Sequence, residues 1–334
     1  MSTGTMFNAN DSDDTKQIKS LIMKNYLLYM ASALLLFSAC TSSDENQTAA
    51  NSQQQEDGIP IMLEAGIEHA TRAANNLQND VFEKGATINV YLKEITPSGY
   101  TVTTKYSPLL YTTTNYDGAL SPQNNIYPYF PTNGRGVTVL AMYPSTLATK
   151  DSQWFTVESD QKTSASYKRS DLMVAFDTIP TPTSSMRTLQ FRHLMSKVTV
   201  QVVRGTGSGD ISNSQVTLYN VKRKIGFIGS LGTLSELDPE TSTVAVTDDC
   251  SSPKSCVIPP QDIDPCRFFR IRLGSKDIIY YYNTQTLNFL SGHEYKFVIT
   301  VNQNSVNVTY TVGAWEDEPN DENVINTHAD REDS

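Results

Sequence analysis

Histidine, cysteine and serine are among the residues of this chain that could carry out catalysis or bind a metal. His293 and Glu294 open a pattern that needs a second histidine four residues later to bind zinc, and position 297 is Phe. Ser208 lies in a glycine-rich turn but lacks the glycine two residues before it that a nucleophile elbow requires. The sequence therefore predicts no catalytic residue, no metal ligand, no cofactor and no enzyme.

The remaining cysteines point the same way. Cys250, Cys256 and Cys266 have neither C-x-x-C spacing nor a nearby histidine, so they do not predict a zinc site. An exported protein can form disulfides, and three thiols allow one pair with one left over. The sequence does not choose which two would pair.

Cys40 ends an apolar run and carries a different chemistry. Met23–Cys40 has a positive start at Lys24, and its apolar part, Tyr26–Leu36, is much shorter than the roughly 20 residues that span a bilayer. This arrangement predicts a signal peptide. Its end resembles the lipobox of bacterial lipoproteins, although Phe37 stands where Leu or Val is usual. The resemblance implies lipid, including palmitate, on Cys40 and anchoring in the outer membrane.

The regions on either side of this signal are polar. Residues 1–22 precede a complete signal peptide, so we expect Met23 to be the true start and treat residues 1–40 as extension plus signal. Residues 41–58 lack large apolar side chains, which predicts a flexible tether. Within the tether, Ser43–Glu45 resembles the acidic signal for display on the outer surface in Bacteroidetes lipoproteins, and an ordinary linker explains it equally well.

The composition of the chain favours strands and argues against nucleic acid as a partner. The chain has 334 residues and a formal net charge of −10, which repels phosphate backbones. Apolar residues alternate in Ile88–Leu92 and again in Tyr295–Val301, the period of half-buried strands. No segment of useful length has the helical period, and turn signals recur about every ten residues, as in a β-sandwich. These features predict an all-β protein.

Changes in composition divide the mature chain. Pro180–Ser185 is rich in Pro, Thr and Ser and marks the predicted domain boundary. We therefore expect one β-sandwich over residues 59–186 and a second over 187–315. Residues 316–334 are acidic and rich in Asn, which predicts a mobile tail.

Several segments resemble one family, and they occur in the family's order. Leu189–Val200 reads LQFRHLMSKVTV, which resembles the F-x-H-x-x-S-K-V strand of the Bacteroidetes fimbrillins, the Mfa-like and FimA-like type V pilins. Further likenesses to the family lie in Phe82–Tyr91, Ala141–Pro144, Asp171–Ala175 and Ser305–Trp315. On these motifs the chain resembles a fimbrillin lipoprotein precursor.

The resemblance implies an architecture and an assembly mechanism. It implies two transthyretin-like Greek-key β-sandwich domains in tandem, and removal of the first strand by cleavage after an arginine. Arg72 matches that arginine, so cleavage would fall between Arg72 and Ala73. The emptied groove would take a strand from another fimbrial subunit, because exposed apolar side chains and unpaired backbone groups favour strand addition.

Two functions remain open on the sequence. The acidic tail has few apolar residues to donate, so the resemblance predicts an accessory or tip-proximal fimbrial subunit that accepts a strand, adheres to host or bacterial surface ligands and resides in the fimbrium after processing. The alternative is an outer-membrane lipoprotein that binds glycans at the cell surface. Tyr281 and Trp154 are the aromatic residues predicted to contact those glycans.

Overall fold

β-strands form almost all of the described structure, as the alternating sequence pattern predicts. The computed structural model describes residues 58–67, 82–97, 99–102, 108–115, 118–146, 152–274, 277–315, 321–325 and 329–332. All of them belong to one unit, Glu56–Ser334. Cys40, Arg72 and Ala73 lie outside the described residues. No helix that the structure describes has the length and apolar character needed to cross a bilayer.

Most of the described strands are short. In chain order they are β1 Leu63–Ile67, β2 Thr87–Thr96, β3 Gly99–Val102, β4 Leu109–Thr113, β5 Leu120–Pro122, β6 Val137–Tyr143, β7 Ser152–Thr156, β8 Met173–Ile179, β9 Arg187–His193, β10 Ser196–Arg204, β11 Gln215–Lys222, β12 Lys224–Ile228, β13 Thr233–Leu237, β14 Thr241–Thr247, β15 Lys254–Ile258, β16 Gln261–Ile263, β17 Arg267–Leu273, β18 Asp277–Tyr282, β19 Leu287–Phe289, β20 His293–Val301, β21 Val306–Ala314, β22 Asp321–Ile325 and β23 Ala329–Glu332. Among the described residues one α-helix, α1, spans Ser164–Ser170.

The strands pair into three larger sheets. The first runs β1-β9-β8-β6-β2-β4-β5, with β3 on β2. Two five-stranded sheets, β15-β10-β20-β21-β22 and β14-β11-β17-β18-β23, supply the two sides of a second core. Smaller sheets join β13-β12-β7 and β16-β19. Two pairs are parallel, β1 with β9 and β10 with β20.

The buried side chains form three clusters that follow this division. One cluster is drawn from residues 61–191 and forms the core associated with the first sheet. Another is drawn from residues 198–308 and lies between the two five-stranded sheets. A third combines residues of β2, β6, β8 and β12 with Trp315. Ile88, Val90 and Leu92 belong to the first cluster, but Asn89 and Tyr91 between them are buried too, so this part of β2 is covered on both faces and is not the half-buried strand that the alternation predicts.

The chain leaves the first sheet later than the predicted boundary. β9 begins at Arg187, yet it pairs with β1 and β8 of the first sheet. The segment Leu189–Val200, which resembles a single strand of the family, is divided between two strands, β9 and β10, which belong to different sheets. Leu194 and Met195, between them, are both buried. Apolar periodicity continues through the break, so it does not reveal where the sheet changes.

Three other expectations change. α1 was not predicted, because among its seven residues only Tyr167 is a large apolar side chain. The tail predicted to be mobile contains β22 and β23, which pair with the exposed edges of β21 and β18. Backbone pairing at a sheet edge does not require apolar side chains, so an acidic segment can supply it. Cys250, Cys256 and Cys266 are free thiols, so the one disulfide that the sequence allows is not formed among them.

Candidate functional site

The first-strand segment, residues 58–67, is held on both sides by backbone hydrogen bonds. On one side β1 lies parallel to β9, and Arg187 N donates to Met62 O at 2.9 Å. On the other side Ala65 N donates to Gly118 O at 2.8 Å, and Ile61 N donates to Pro128 O at 2.8 Å. A strand paired on both sides cannot leave without exposing two rows of polar backbone groups.

The same segment fills the first core. Ile61, Leu63, Ala65 and Ile67 alternate with more exposed neighbours, and each is at most 6% exposed. Burial of a large aliphatic side chain stabilises a fold by about 1.5–3 kcal/mol. Loss of this segment would therefore leave an apolar groove lined by side chains of the remaining core.

Gly118 fixes how closely the segment approaches its second neighbour. Its φ is +89°, and a Cβ at this position would lie 2.0 Å from Ala65 O. Only glycine combines this backbone conformation with so close an approach. The wall of the groove is thus shaped to take a strand backbone in direct contact.

The chain order makes this strand separable from the rest of the fold. Phe82 is the first described residue after Ile67, and Arg72 lies five residues beyond Ile67 in the sequence. Of the described residues, only 58–67 precede Arg72. A single cut after Arg72 would therefore disconnect β1 covalently from every other described element.

A second group of polar residues, here called the junction cluster, is buried where the chain passes from β9 to β10. His193 Nδ1 lies 2.9 Å from Asp171 Oδ1, and the imidazole stacks on Trp315 with ring centroids 4.0 Å apart. Lys197 Nζ lies 3.4 Å from Glu294 Oε1 and 5.9 Å from the Trp315 ring centroid. These five residues, Asp171, His193, Lys197, Glu294 and Trp315, form the cluster, and each is at most 6% exposed.

The cluster has the character of a structural connection. Thr199 Oγ1 donates to Glu294 Oε1 at 2.5 Å, which gives this buried carboxylate a second partner. The pKa of Tyr167 is raised well above its usual range, mainly by burial and to a smaller extent by the carboxylates of Asp171 and Glu294. A substrate could not reach His193, whose side chain is 3% exposed. Within the described residues no three His, Cys, Asp or Glu side chains converge as a metal site.

The sequence presents the members of the junction cluster as separate motifs. Asp171 follows α1, His193 ends β9, and Trp315 follows β21. A polar residue within an otherwise apolar segment is the signal that could have suggested their proximity, because a buried polar group needs a hydrogen-bond partner. Sequence spacing alone gives no distance between them.

The two aromatic residues predicted to contact glycans differ in accessibility. Tyr281 is 0% exposed and belongs to the second core, so its ring offers no face on which a sugar could stack. Trp154 is 46% exposed on β7, and Lys224 Nζ lies 4.7 Å from its ring centroid. The structure thus leaves Trp154 as the accessible member of this pair.

The chain matches one family model and has the fold of solved bacterial surface proteins. Residues 71–315 match the model described as fimbrillin-like. A Bacteroides ovatus protein assigned to cell adhesion has a TM-score of 0.63 at 19% identity, over 78% of this chain and 99% of that one. A Bacteroides uniformis protein with the same assignment has a TM-score of 0.57 at 17% identity, over 77% and 98%. At these identities the likeness shows the fold. No curated protein sequence matches the chain.

Proposed function

We propose that this chain, which belongs to the fimbrillin-like family, is a structural and adhesive subunit of a surface filament. In this proposal the first strand is removed by cleavage between Arg72 and Ala73, and a neighbouring subunit supplies a replacement strand. The observation that carries the proposal is the position of residues 58–67, whose alternate side chains from Ile61 to Ile67 are buried, whose backbone is paired on both sides, and which are covalently linked to the other described elements only through Arg72.

Cleavage converts a stable sandwich into an acceptor. Before the cut, β1 occupies the groove, so the chain has no open site for a strand from another subunit. After the cut, β1 is held only by non-covalent contacts, and its loss exposes apolar positions and unpaired backbone groups. A donor strand would cover the apolar positions and form hydrogen bonds with the unpaired backbone groups. Assembly by strand complementation therefore needs no catalytic residue in this chain.

The tail supports an accessory or tip-proximal position. β22 and β23 already pair with sheet edges of their own chain. The acidic composition of residues 316–334 is poorly suited to fill an apolar groove in another subunit. We therefore propose that the chain accepts a strand and does not extend the filament further.

The signal region supports delivery to the cell surface. Lipid on Cys40 would hold the uncut chain in the outer membrane, and cleavage after Arg72 would release residues 73–334 from that anchor into the fimbrium. The lipid would then be a temporary attachment. The partners are other fimbrial subunits and the surface ligands to which the filament adheres.

Limited digestion with an arginine-specific protease tests the processing site. We expect one early cut, between Arg72 and Ala73, and a lower free energy of unfolding afterwards because β1 is no longer tethered. The Arg72→Gln variant should resist this cut and keep the unfolding midpoint of the intact chain. The proposal fails if the folded chain resists the protease at Arg72, or if the cut leaves its stability unchanged.

A further inference from the structure

The outer face of the first sheet carries a groove whose side chains fall into two rows. β2, β6 and β8 are neighbours in this sheet, and their register aligns Tyr91 with Leu140 and Leu140 with Phe176. The adjacent row aligns Lys93 with Thr138 and Thr138 with Thr178. An aromatic and apolar row therefore lies beside a row of one ammonium and two hydroxyl groups.

The turn between β12 and β13 forms a further wall of this outer-face groove. Ser230 lines the groove, and Arg192 Nη2 donates to Gly232 O at 3.2 Å, which holds the turn against the sheet. A Cβ at Gly232 would lie 2.2 Å from Phe176 Cε2, so the turn packs directly on that ring. Phe176 is nevertheless 48% exposed. The groove encloses about 360 Å³, within the range of small-molecule sites.

The charges in the groove favour an anion. Asp177 also lines it, but Arg187 Nε and Nη2 hold that carboxylate at 3.0 and 3.1 Å. Lys93 has no ion-pair partner among the residues that the structure describes. In a chain with a net charge of −10, this groove therefore presents an uncompensated ammonium group.

We infer that the outer-face groove binds a sugar ring that carries a carboxylate, as at the acidic end of a glycan chain. The carboxylate would pair with Lys93, the ring hydroxyls would bond with Thr138, Thr178 and Ser230, and the apolar face of the ring would pack on Phe176. A partly exposed aromatic ring beside hydroxyl groups suits a ligand that has one apolar face and a polar edge.

The sheet itself argues against a peptide as the occupant. β2, β6 and β8 are interior strands, and their backbone groups pair with one another. A peptide could not extend the sheet here, because strand addition requires an unpaired edge. Recognition in this groove must therefore come from side chains. The two rows provide the aromatic, hydroxyl and ammonium groups that a site for an acidic saccharide needs.

The inference rests on the adhesive part of the proposed function and names a class of ligand for it. The test uses the chain before any cleavage or assembly. The uncut, folded chain is titrated with methyl β-glucuronide and with methyl β-glucoside by calorimetry or NMR. These probes differ only in the carboxylate. We expect saturable binding of the glucuronide that is at least about tenfold tighter than binding of the glucoside.

Three variants locate the site. Lys93→Gln should reduce glucuronide affinity about tenfold and bring the two probes to equal affinity, since only the ion pair is lost. Phe176→Ala should weaken both probes. Lys254→Gln, a matched change at an exposed lysine of the second core's sheet, should leave both affinities unchanged.

The inference is overturned if the glucuronide shows no saturation up to about 10 mM. It is also overturned if Lys93→Gln and Lys254→Gln have the same effect. A glutamate-rich peptide is titrated alongside, and binding of that peptide through Lys93 without binding of the glucuronide would assign the groove to an acidic protein partner instead. Urea unfolding of each variant confirms that the fold is intact, and failure of strand removal would leave these binding results unaffected.

Discussion

His193 Nδ1 lies 2.9 Å from Asp171 Oδ1 at the point where the chain leaves the first sheet for the second core. The imidazole ring also stacks on Trp315, the last residue of the family match. One buried side chain thus contacts both Asp171, which lies between α1 and β8, and Trp315, which follows β21. The junction cluster therefore connects segments that are distant in the sequence, which is a structural role.

Removal of the His193 side chain should destabilise the fold. His193→Ala leaves the Asp171 carboxylate buried without this partner and removes the stack on Trp315, so we expect a loss of about 3 kcal/mol in the free energy of unfolding. His293→Ala is the matched control, because His293 Nδ1 lies 2.8 Å from the nearby Ser291 O in an exposed bond. Urea denaturation measures both variants, and equal effects would contradict the account of the junction cluster.

Gly118→Ala should loosen the first-strand segment. The new Cβ would meet Ala65 O at 2.0 Å, and the positive φ adds strain of about 1–2 kcal/mol. Gly134→Ala shares the strain, at φ +76°, but its Cβ would meet nothing within 4 Å. We expect Gly118→Ala to lose at least about 2 kcal/mol more than Gly134→Ala. Hydrogen exchange should show faster opening of β1 in Gly118→Ala only, and equal exchange in both variants would argue against a closely fitted groove.

Tyr111 makes the stability of the fold sensitive to high pH. Its side chain is 0% exposed, and among the described residues its hydroxyl has no hydrogen-bond partner. Burial is the main reason that its pKa lies well above the usual value. The unfolded chain loses this proton near pH 10 and the folded chain retains it, so stability falls as pH rises above about 10.

Tyr111→Phe should remove this sensitivity. At pH 7 we expect the variant to be equal in stability or more stable by about 1 kcal/mol, because a buried hydroxyl without a partner is lost. Above about pH 10 its advantage should grow by up to about 1.4 kcal/mol per pH unit. Urea denaturation between pH 7 and about pH 11 measures the difference. An advantage that stays constant over this range would show that Tyr111 ionises normally.

The three downstream thiols should differ in reactivity. Burial raises the pKa of Cys250 to about 12 and that of Cys256 further, whereas Cys266 is half-buried. The thiolate is the reactive form, so Cys266 should be the first to react with a thiol reagent at pH 8. In a Cys40→Ser background, labelling should reach one thiol per native chain and three after unfolding. Cys266→Ser should abolish the native reaction, and rapid labelling of Cys256 would contradict the described core.

Strand periodicity predicted much of the fold but not its connections. The alternation in β20 identified the strand and its buried face, because a half-buried strand repeats every two residues, whereas β2 was identified as a strand but is buried on both faces over Ile88–Leu92. The same rule joined β9 to β10, since both are apolar and the change of sheet at Leu194 and Met195 leaves the pattern intact. Which strands become neighbours depends on contacts distant in the sequence, and the parallel pairing of β1 with β9 left no local signal.

The helix and the candidate sites show a second limit of prediction from the sequence. α1 is capped by Thr163, whose Oγ1 accepts from Ser166 N at 3.1 Å, but its seven residues have no apolar period. The family motifs contain Asp171, His193, Lys197 and Trp315 of the junction cluster, but not Glu294, and they do not indicate that these residues meet. The burial of Tyr281 likewise could not be foreseen, because tyrosine occurs both in cores and on binding surfaces.

The central claim is that the groove of β1 accepts a strand from outside the chain. After cleavage at Arg72, residues 1–72 are separated in denaturant and residues 73–334 are refolded. A labelled synthetic peptide of residues 58–72 is then titrated against this β1-free chain. A matched peptide carries Asp in place of Leu63 and Ile67, whose side chains are 1% and 4% exposed in the fold.

Fluorescence anisotropy of the two peptides is the most direct measurement. The account predicts saturable binding of the natural peptide with one site per chain, recovery of the unfolding midpoint of the intact protein, and affinity for the Asp peptide at least about 100-fold lower, near 2.7 kcal/mol. Equal binding of both peptides, or a β1-free chain that is already as stable as the intact protein and binds neither, would contradict strand complementation.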